Sequence, residues 1–268
     1  MGWIRPIRIS FVQNKERKVM NNTQAGWISY YEKKGALWLH DGNSKRPHAL
    51  LTSGKHSSGF FNSELVMEDP DVLDQACSDL CEIVGKKLNE GEGCELSRVV
   101  GPAMGAITLA HNLALQFTSW GWLQVLRAYT EKNVKICVVR GANSIMIDDS
   151  ELQVGDQIVS FEKSKMVFKR TKIIPGESIL LCEDVITTAG SVKLCAQAVT
   201  EAGGVVLPFV AALVNRSGLT EVNGMKIIAL IDKPMPMWSP DECPLCKQGS
   251  EALRPKGKEN WARLNDVY

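Results

Sequence analysis

One stretch constrains this chain more than any other: ILLCEDVITTAGSVKLCAQAV, residues 179–199. Its apolar start, closed by a turn signal, predicts a buried strand at 179–183. The strand ends in two carboxylates, Glu183 and Asp184, and runs into a loop of hydroxyls and small residues, Thr187-Thr188-Ala189-Gly190-Ser191. Beyond the loop the spacing predicts a helix over 191–202, with Ser191 as its N-cap and Gly203-Gly204 as its stop. A tight loop opening a helix offers unpaired N–H groups and the positive end of a helix dipole, both of which favour a phosphate. The two carboxylates do not suit that phosphate. They suit hydroxyls or a metal ion. A merely N-capped helix needs one capping residue, not two acids and three hydroxyls.

The alternation of strand and helix recurs along the chain. A first helix is predicted over 21–35, with Trp27, Ile28 and Tyr31 on one face. A second opens at Asp69-Pro70-Asp71, repeats Val72, Ala76, Leu80, Ile83 and Leu88 at helical spacing, and stops at Gly91. A strand at 98–100 runs into the small-residue loop 101–105, and Ile107, Ala110, Leu113 and Phe117 mark the helix after it. Further strands are predicted at 123–129, 205–214 and 226–231. This order predicts an α/β fold, a mainly parallel sheet flanked by helices and joined by right-handed crossovers. Ligands of such sheets bind beyond the carboxyl ends of the strands. Three loops fall there: 101–105, 184–191 and 215–218.

Residues 133–168 break the pattern. They alternate apolar and polar residues, with turn signals at Gly141-Ala142-Asn143 and Val154-Gly155-Asp156, which predicts a small β-hairpin insertion. The expected organisation is a flexible tail at 1–20, one domain over 21–256 carrying that insertion, and a C-terminal tail at 257–268.

Composition narrows the function classes. The 268 residues carry 31 basic and 30 acidic side chains, which gives no argument for nucleic acid or an anionic membrane as partner. No apolar stretch is long enough to span a bilayer. The basic N-terminus lacks a signal-peptide core, and Pro6 stands where myristoylation needs Ser or Thr. Met20 is an alternative start, since the periodic pattern begins only after it. A cytoplasmic location with reduced thiols is expected for the 8 cysteines. Cys243-Pro-Leu-Cys246 is the only C-x-x-C pair, and no second Cys or His pair follows it. A structural zinc site needs that second half, so no protein-bound metal is expected.

Residues Glu183 to Ser191 resemble the phosphoribosyl-diphosphate (PRPP) binding signature of type I phosphoribosyltransferases. Four more segments narrow the resemblance to the orotate phosphoribosyltransferase family. They are Leu51-Thr52-Ser53-Gly54-Lys55-His56-Ser57 with Phe60-Phe61-Asn62, the loop 101–105, Ala212-Leu213-Val214-Asn215-Arg216-Ser217-Gly218, and Asp241-Glu242-Cys243-Pro244-Leu245-Cys246-Lys247. Together they cover residues 25–132 and 168–256 in family order.

The resemblance implies the type I phosphoribosyltransferase fold and transfer of phosphoribose from PRPP to orotate, giving orotidine 5′-monophosphate and pyrophosphate. It implies magnesium carried by PRPP, and a homodimer. It places the ribose hydroxyls on Glu183 and Asp184, and the 5′-phosphate on Thr187, Thr188, Ala189, Gly190 and Ser191. Pro102, Ala103, Met104 and Gly105 stand at the pyrophosphate. Phe60, Phe61 and Thr187 stand at the base with Arg216 and Lys55, the arginine offering a planar fork to its acceptors. Asp184 is catalytic, with Lys132 and then Lys169 as candidates for the lysine of a mobile loop rooted at Tyr129–Lys132 and Phe168–Arg170. The sequence departs from the family in the long insertion between those roots, which holds none of the histidines (40, 48, 56 and 111), and in Ala189, where Gly is common. Two other readings are a PRPP-sensing regulator without catalysis and a transferase for another nucleobase. The near-zero charge and short tail argue against a DNA-binding regulator.

Overall fold

The computed structural model describes residues 23–89, 95–140, 143–148, 151, 153, 157–161 and 165–268. The tail at 1–20, the stop at Gly91 and the turns at Gly141-Ala142 and Val154-Gly155-Asp156 lie outside the described residues. The helices are α1 (Gln24–Lys33), α2 (Glu64–Met67), α3 (Pro70–Asn89), α4 (Ile107–Ser119), α5 (Gly190–Glu201), α6 (Pro244–Lys247) and α7 (Lys258–Leu264). The first half of the chain contributes β1 (Leu37–Leu39), β2 (His48–Leu50), β3 (His56–Ser57), β4 (Gly59–Phe61), β5 (Arg98–Pro102) and β6 (Leu126–Asn133). Then follow β7 (Lys135–Arg140), β8 (Asn143–Asp148), β9 (Gln157–Phe161), β10 (Lys165–Val167) and β11 (Ser178–Ile186). The last strands are β12 (Val205–Asn215), β13 (Glu221–Val222), β14 (Met225–Asp232), β15 (Met237–Trp238) and β16 (Ala252–Leu253).

The main sheet runs β10-β6-β5-β11-β12-β14-β13. Its five inner strands are parallel, and only the edge strands β10 and β13 run antiparallel. Parallel strands covered on both faces need apolar residues on both. Strand β5 is buried at every position and β11 at most of its length. Helices α1, α3 and α4 close one face through Trp27, Leu80, Leu113 and Phe117. On the other, α5 packs Val192, Cys195 and Val199 against Ile179, Leu181 and Val210. A smaller sheet, β15-β3-β2-β16, forms a hood beside the carboxyl ends of the strands.

Four sequence expectations change. Strand β11 continues past Glu183 to Ile186, with Glu183 opposite Ala212 and Val185 opposite Val214, so the carboxylates belong to the strand. Helix α5 starts at Gly190. Its cap position is Ala189 in the left-handed region (φ 58°) with no side-chain cap, so Ser191 sits in the first turn and leaves the amides uncapped. Residues 257–268 are not a tail. Trp261 stacks edge-on against Phe60 with centroids 5.8 Å apart, Leu264 is fully buried, and Trp38 Nε1 donates to the Leu264 carbonyl at 2.7 Å.

The insertion is the fourth. Strands β8, β7 and β9 form a separate antiparallel sheet with its own small core of Ile136, Val138 and Ile147. Strand β10, however, pairs with β6, Met166 opposite Lys132, and so belongs to the main sheet. The separate unit is therefore narrower than 133–168. A Gly-Ser link replacing residues 135–161 is expected to keep cooperative unfolding and a Tm within about 5 °C of the parent. A melt that loses cooperativity would make the small sheet part of the main core.

Candidate active site

The carboxyl ends of β5, β11 and β12 bring the three loops together around a cleft of about 430 Å3. Pro102, Ala103, Met104 and Gly105 form one wall. The Ala103–Met104 peptide is cis, and Met104 is 82% exposed. Glu183, Asp184 and the run from Thr187 to Ser191 line the cleft too, with Asp184 against Gly105, and so do Phe60, Phe61 and Arg216.

Glu183 and Asp184 differ sharply although adjacent, because successive strand residues face opposite ways. Glu183 is buried, and Asp184 is half-buried. Burial first, then the Asp184 carboxylate beside it, push Glu183 well above the usual carboxylate range, and Lys256 partly opposes them. A carboxyl held towards its neutral form thus stands next to a half-exposed acceptor. Gly105 sits directly against Asp184: a Cβ built there lies 2.7 Å from Asp184 Oδ2. Only glycine leaves that carboxylate its place.

The loop 187–191 presents the first-turn amides of α5, which have no partner within the helix by geometry. Ala189 is buried and holds its left-handed conformation at a cost of about 1–2 kcal/mol for a residue with a Cβ. That is the physical reason a glycine is common at this place in the resembling family.

Phe61 belongs to the core, 3% exposed and edge-on to Tyr31 at 5.5 Å, while Phe60 is half-buried between Trp261 and the cleft. Arg216 departs from the expected free fork. It is 1% exposed, its Nη1 donates to the Gly59 carbonyl at 2.9 Å, and its Nη2 donates to Ser57 Oγ at 2.6 Å. Burial pulls its pKa down to about 10. Nη1 and Nη2 therefore tie Arg216 to β4 and β3, and the Nε–H is left buried without a partner among the described residues.

Of the candidate lysines, Lys132 lines the cleft. Lys55 is exposed on the β2–β3 turn and Lys169 is exposed just beyond β10, both outside the lining. Arg170 Nε bonds Glu131 Oε1 at 3.0 Å, tying the two roots of the insertion. Sequence reasoning missed Lys256, Thr52 and Ser53 as lining residues. Lys256 precedes Gly257 (φ 107°), and that glycine was the available signal for a turn bringing the chain back. Sequence reasoning also missed His48 and His56, which lie beside Cys243 and Cys246 in the hood.

A parallel sheet with a phosphate-type loop, a small-residue loop and an acidic pair at its carboxyl ends defines the class as a transferase of phosphorylated sugars. Residues 80–234 match the family model of the phosphoribosyl transferase domain. Orotate phosphoribosyltransferase from a Nitratiruptor species is 29% identical over 245 residues, covering 86% of this chain and 97% of that protein. The protein of that name from Desulforamulus reducens is 31% identical over 213 residues, covering 79% and 89%. Among solved structures, orotate phosphoribosyltransferase from Aeropyrum pernix aligns at 19% identity with a TM-score of 0.48, over 76% of this chain and 92% of that one. The chain belongs to the orotate phosphoribosyltransferase family.

Proposed function

We propose that the chain transfers the phosphoribosyl group of PRPP to orotate, forming orotidine 5′-monophosphate and pyrophosphate. The observation that carries this reading is the convergence, in one cleft, of the 187–191 amides, the Glu183–Asp184 pair and the 102–105 loop. The amides and the α5 dipole receive the 5′-phosphate. Asp184 and Glu183 take the ribose diol, Glu183 being able both to donate and to accept in its neutral form. Phe60 stacks on the base, and the unpaired Arg216 Nε–H donates to one of its oxygens. As the base nitrogen bonds to the anomeric carbon, the bond to diphosphate breaks, negative charge grows on the leaving oxygens, and the proton of the nitrogen passes to the departing diphosphate. Lys132 stands in the cleft to stabilise that charge, with Lys256 on the same lining.

Magnesium fits the site through Asp184, whose half-buried carboxylate lines the cleft and would offer the ion the hard oxygen ligand it takes. Held there with the diphosphate, the ion would supply positive charge to the leaving oxygens. A homodimer belongs to the same reading, supported by exposed Ile145, Met146, Ile158 and Val159 on the small sheet. So does a cytoplasmic location, supported by Cys77, Cys81, Cys182 and Cys195 packing as buried free thiols. Among the described residues no helix is long and apolar enough to cross a membrane.

The test is depletion of each base in a panel of orotate, uracil, adenine, guanine and hypoxanthine, with PRPP and magnesium. Orotate is expected to be consumed with release of pyrophosphate; consumption of another base instead overturns the assignment. Arg216→Ala is expected to raise the KM for orotate roughly 10- to 100-fold, the worth of one charge-assisted bond, and that for PRPP much less. The variant also loses the hood contacts to Gly59 and Ser57, so its Tm falls as well. Equal rises in both KM values would remove Arg216 from base recognition.

A further inference from the structure

Four metal-ligating side chains meet in the hood, outside the cleft. His48 opens β2 and His56 opens β3 of one hairpin, while Cys243 caps α6 and Cys246 lies within it. One ligand atom from each lies within 4.8 Å of every other. His48 Nε2 stands 2.9 Å from His56 Nδ1, 3.6 Å from Cys243 Sγ and 3.5 Å from Cys246 Sγ. Cys246 Sγ is 3.2 Å from His56 Nδ1. Bonds of about 2.3 Å to sulfur and about 2.0 Å to nitrogen make the edges of a zinc tetrahedron roughly 3.3–3.8 Å. The three nitrogen–sulfur edges of 3.2–3.6 Å are close to those of that polyhedron, and the 2.9 Å nitrogen–nitrogen edge is a few tenths of an ångström shorter.

We infer that this chain binds a structural zinc ion through His48 Nε2, His56 Nδ1, Cys243 Sγ and Cys246 Sγ. The surrounding hydrogen bonds prepare the site. Ser250 Oγ donates its hydrogen to the Arg46 carbonyl at 2.7 Å, so it accepts from His48 Nδ1 at 2.8 Å. That bond places the His48 proton on Nδ1 and leaves Nε2 bare, the outer-shell arrangement of metal-bound histidines. His48 and Cys243 are fully buried, and His56 is 6% exposed. A set of two thiolates and two imidazoles selects zinc over magnesium, and four protein ligands leave no position for a substrate. The ion is therefore a staple and takes no part in the reaction.

Its place gives the staple a purpose. The hood's own apolar core is small: Trp38, Ala49, Leu51, Leu253 and Leu264. The turn between the two histidines supplies Leu51, Thr52 and Ser53 to the cleft, and Ser57, beside His56, receives Arg216. Fixing α6 to that hairpin fixes the base side of the cleft. The C-x-x-C pair finds its other half some 190 residues earlier in the chain, His48 and Cys243 being 195 residues apart.

The test is elemental analysis of the full-length chain, purified under reducing conditions and dialysed against metal-free buffer. About one zinc per chain is expected, and the double variant Cys243→Ser/Cys246→Ser is expected to lose it. Should that variant not fold, stripped wild-type protein titrated with cobalt(II) provides the second readout: intense tetrahedral d–d bands and a thiolate-to-cobalt band. Stripping is expected to lower Tm by about 5–10 °C. Full zinc content in the double variant, a Cys243–Cys246 disulfide in the reduced preparation, or an octahedral cobalt spectrum overturns the inference. An unchanged Tm after stripping overturns the stapling role.

Discussion

Asp184→Asn is expected to leave the melt unchanged and to weaken PRPP binding by about 10- to 100-fold. The replacement is isosteric, so the close fit against Gly105 survives, whereas the charged acceptor for a ribose hydroxyl is lost. A hydrogen bond to a charged group is worth about 1.5–3 kcal/mol, which sets that range. Turnover should fall further than affinity, because positive charge grows on the ribose ring as the diphosphate departs and Asp184 faces it. Its neighbour should behave in the opposite way. Glu183 is buried with its carboxyl pushed well above the usual range by burial and by Asp184. The unfolded chain ionises this group at ordinary pH and the folded chain resists doing so, so stability falls as pH rises through the ordinary carboxylate range. Glu183→Gln removes that penalty. Its expected signature is a higher Tm at pH 7 with lower activity, a trade expected at functional sites. Isothermal calorimetry with PRPP and a thermal melt separate the two residues.

The second large effect lies at the far end of the sheet. Glu177→Ala is expected to cost about 3–5 kcal/mol of stability, the usual loss when one partner of a buried ion pair is removed. Arg98 Nε and Nη2 bond the two Glu177 oxygens at 2.9 and 2.7 Å, and the Arg98 side chain is only 5% exposed. Removing Glu177 leaves that buried charge with only the Arg127 carbonyl, 3.3 Å from Nη1, among its described partners. Replacing both, Arg98→Met with Glu177→Leu, is expected to recover most of the loss, because apolar side chains carry no desolvation penalty. The pair lies at the amino ends of β5 and β11, opposite the cleft, so kcat/KM of the folded fraction is expected to stay unchanged at 25 °C. Arg98 holds the Glu177 carboxyl below its ordinary range. Its stabilisation is therefore full above the ordinary carboxylate pKa and is lost as pH falls through the lower, folded-state value. Glu177→Gln is expected to flatten the loss of Tm in acid. A Tm for Glu177→Ala equal to that of the parent would contradict the ion-pair argument.

Much of this fold was legible because parallel strands covered on both faces must be apolar throughout, and β5, β11 and β12 obey that rule plainly. The cleft was legible for a related reason: its loops need glycine, hydroxyl and acid at positions where packing alone asks for none of them. What escaped the sequence depends on partners far along the chain. Helix α7 hides in a polar segment, and only Trp261 and Leu264, three residues apart, give it a face to bury. The hood pairs β16 with β2 across some 200 residues, His48 opposite Ala252, so no local pattern links His48 and His56 to the cysteines. The motif around Arg216 suggests a base contact, yet burial assigns two of its arms to Gly59 and Ser57. The end of the insertion misleads because β10 alternates like the small sheet while pairing with β6.

PRPP is expected to occupy the cleft at the carboxyl ends of the strands, and a crystal structure of the magnesium–PRPP complex tests this most directly. The expected density places the 5′-phosphate within hydrogen-bond distance of the amides of 187–191. It places the ribose diol against Asp184 and Glu183, and the diphosphate along 102–105. A PRPP molecule bound elsewhere, as in the groove of Lys193, Gln197 and Asn223 on the outer side of α5, with this cleft free of it, would contradict the proposed function.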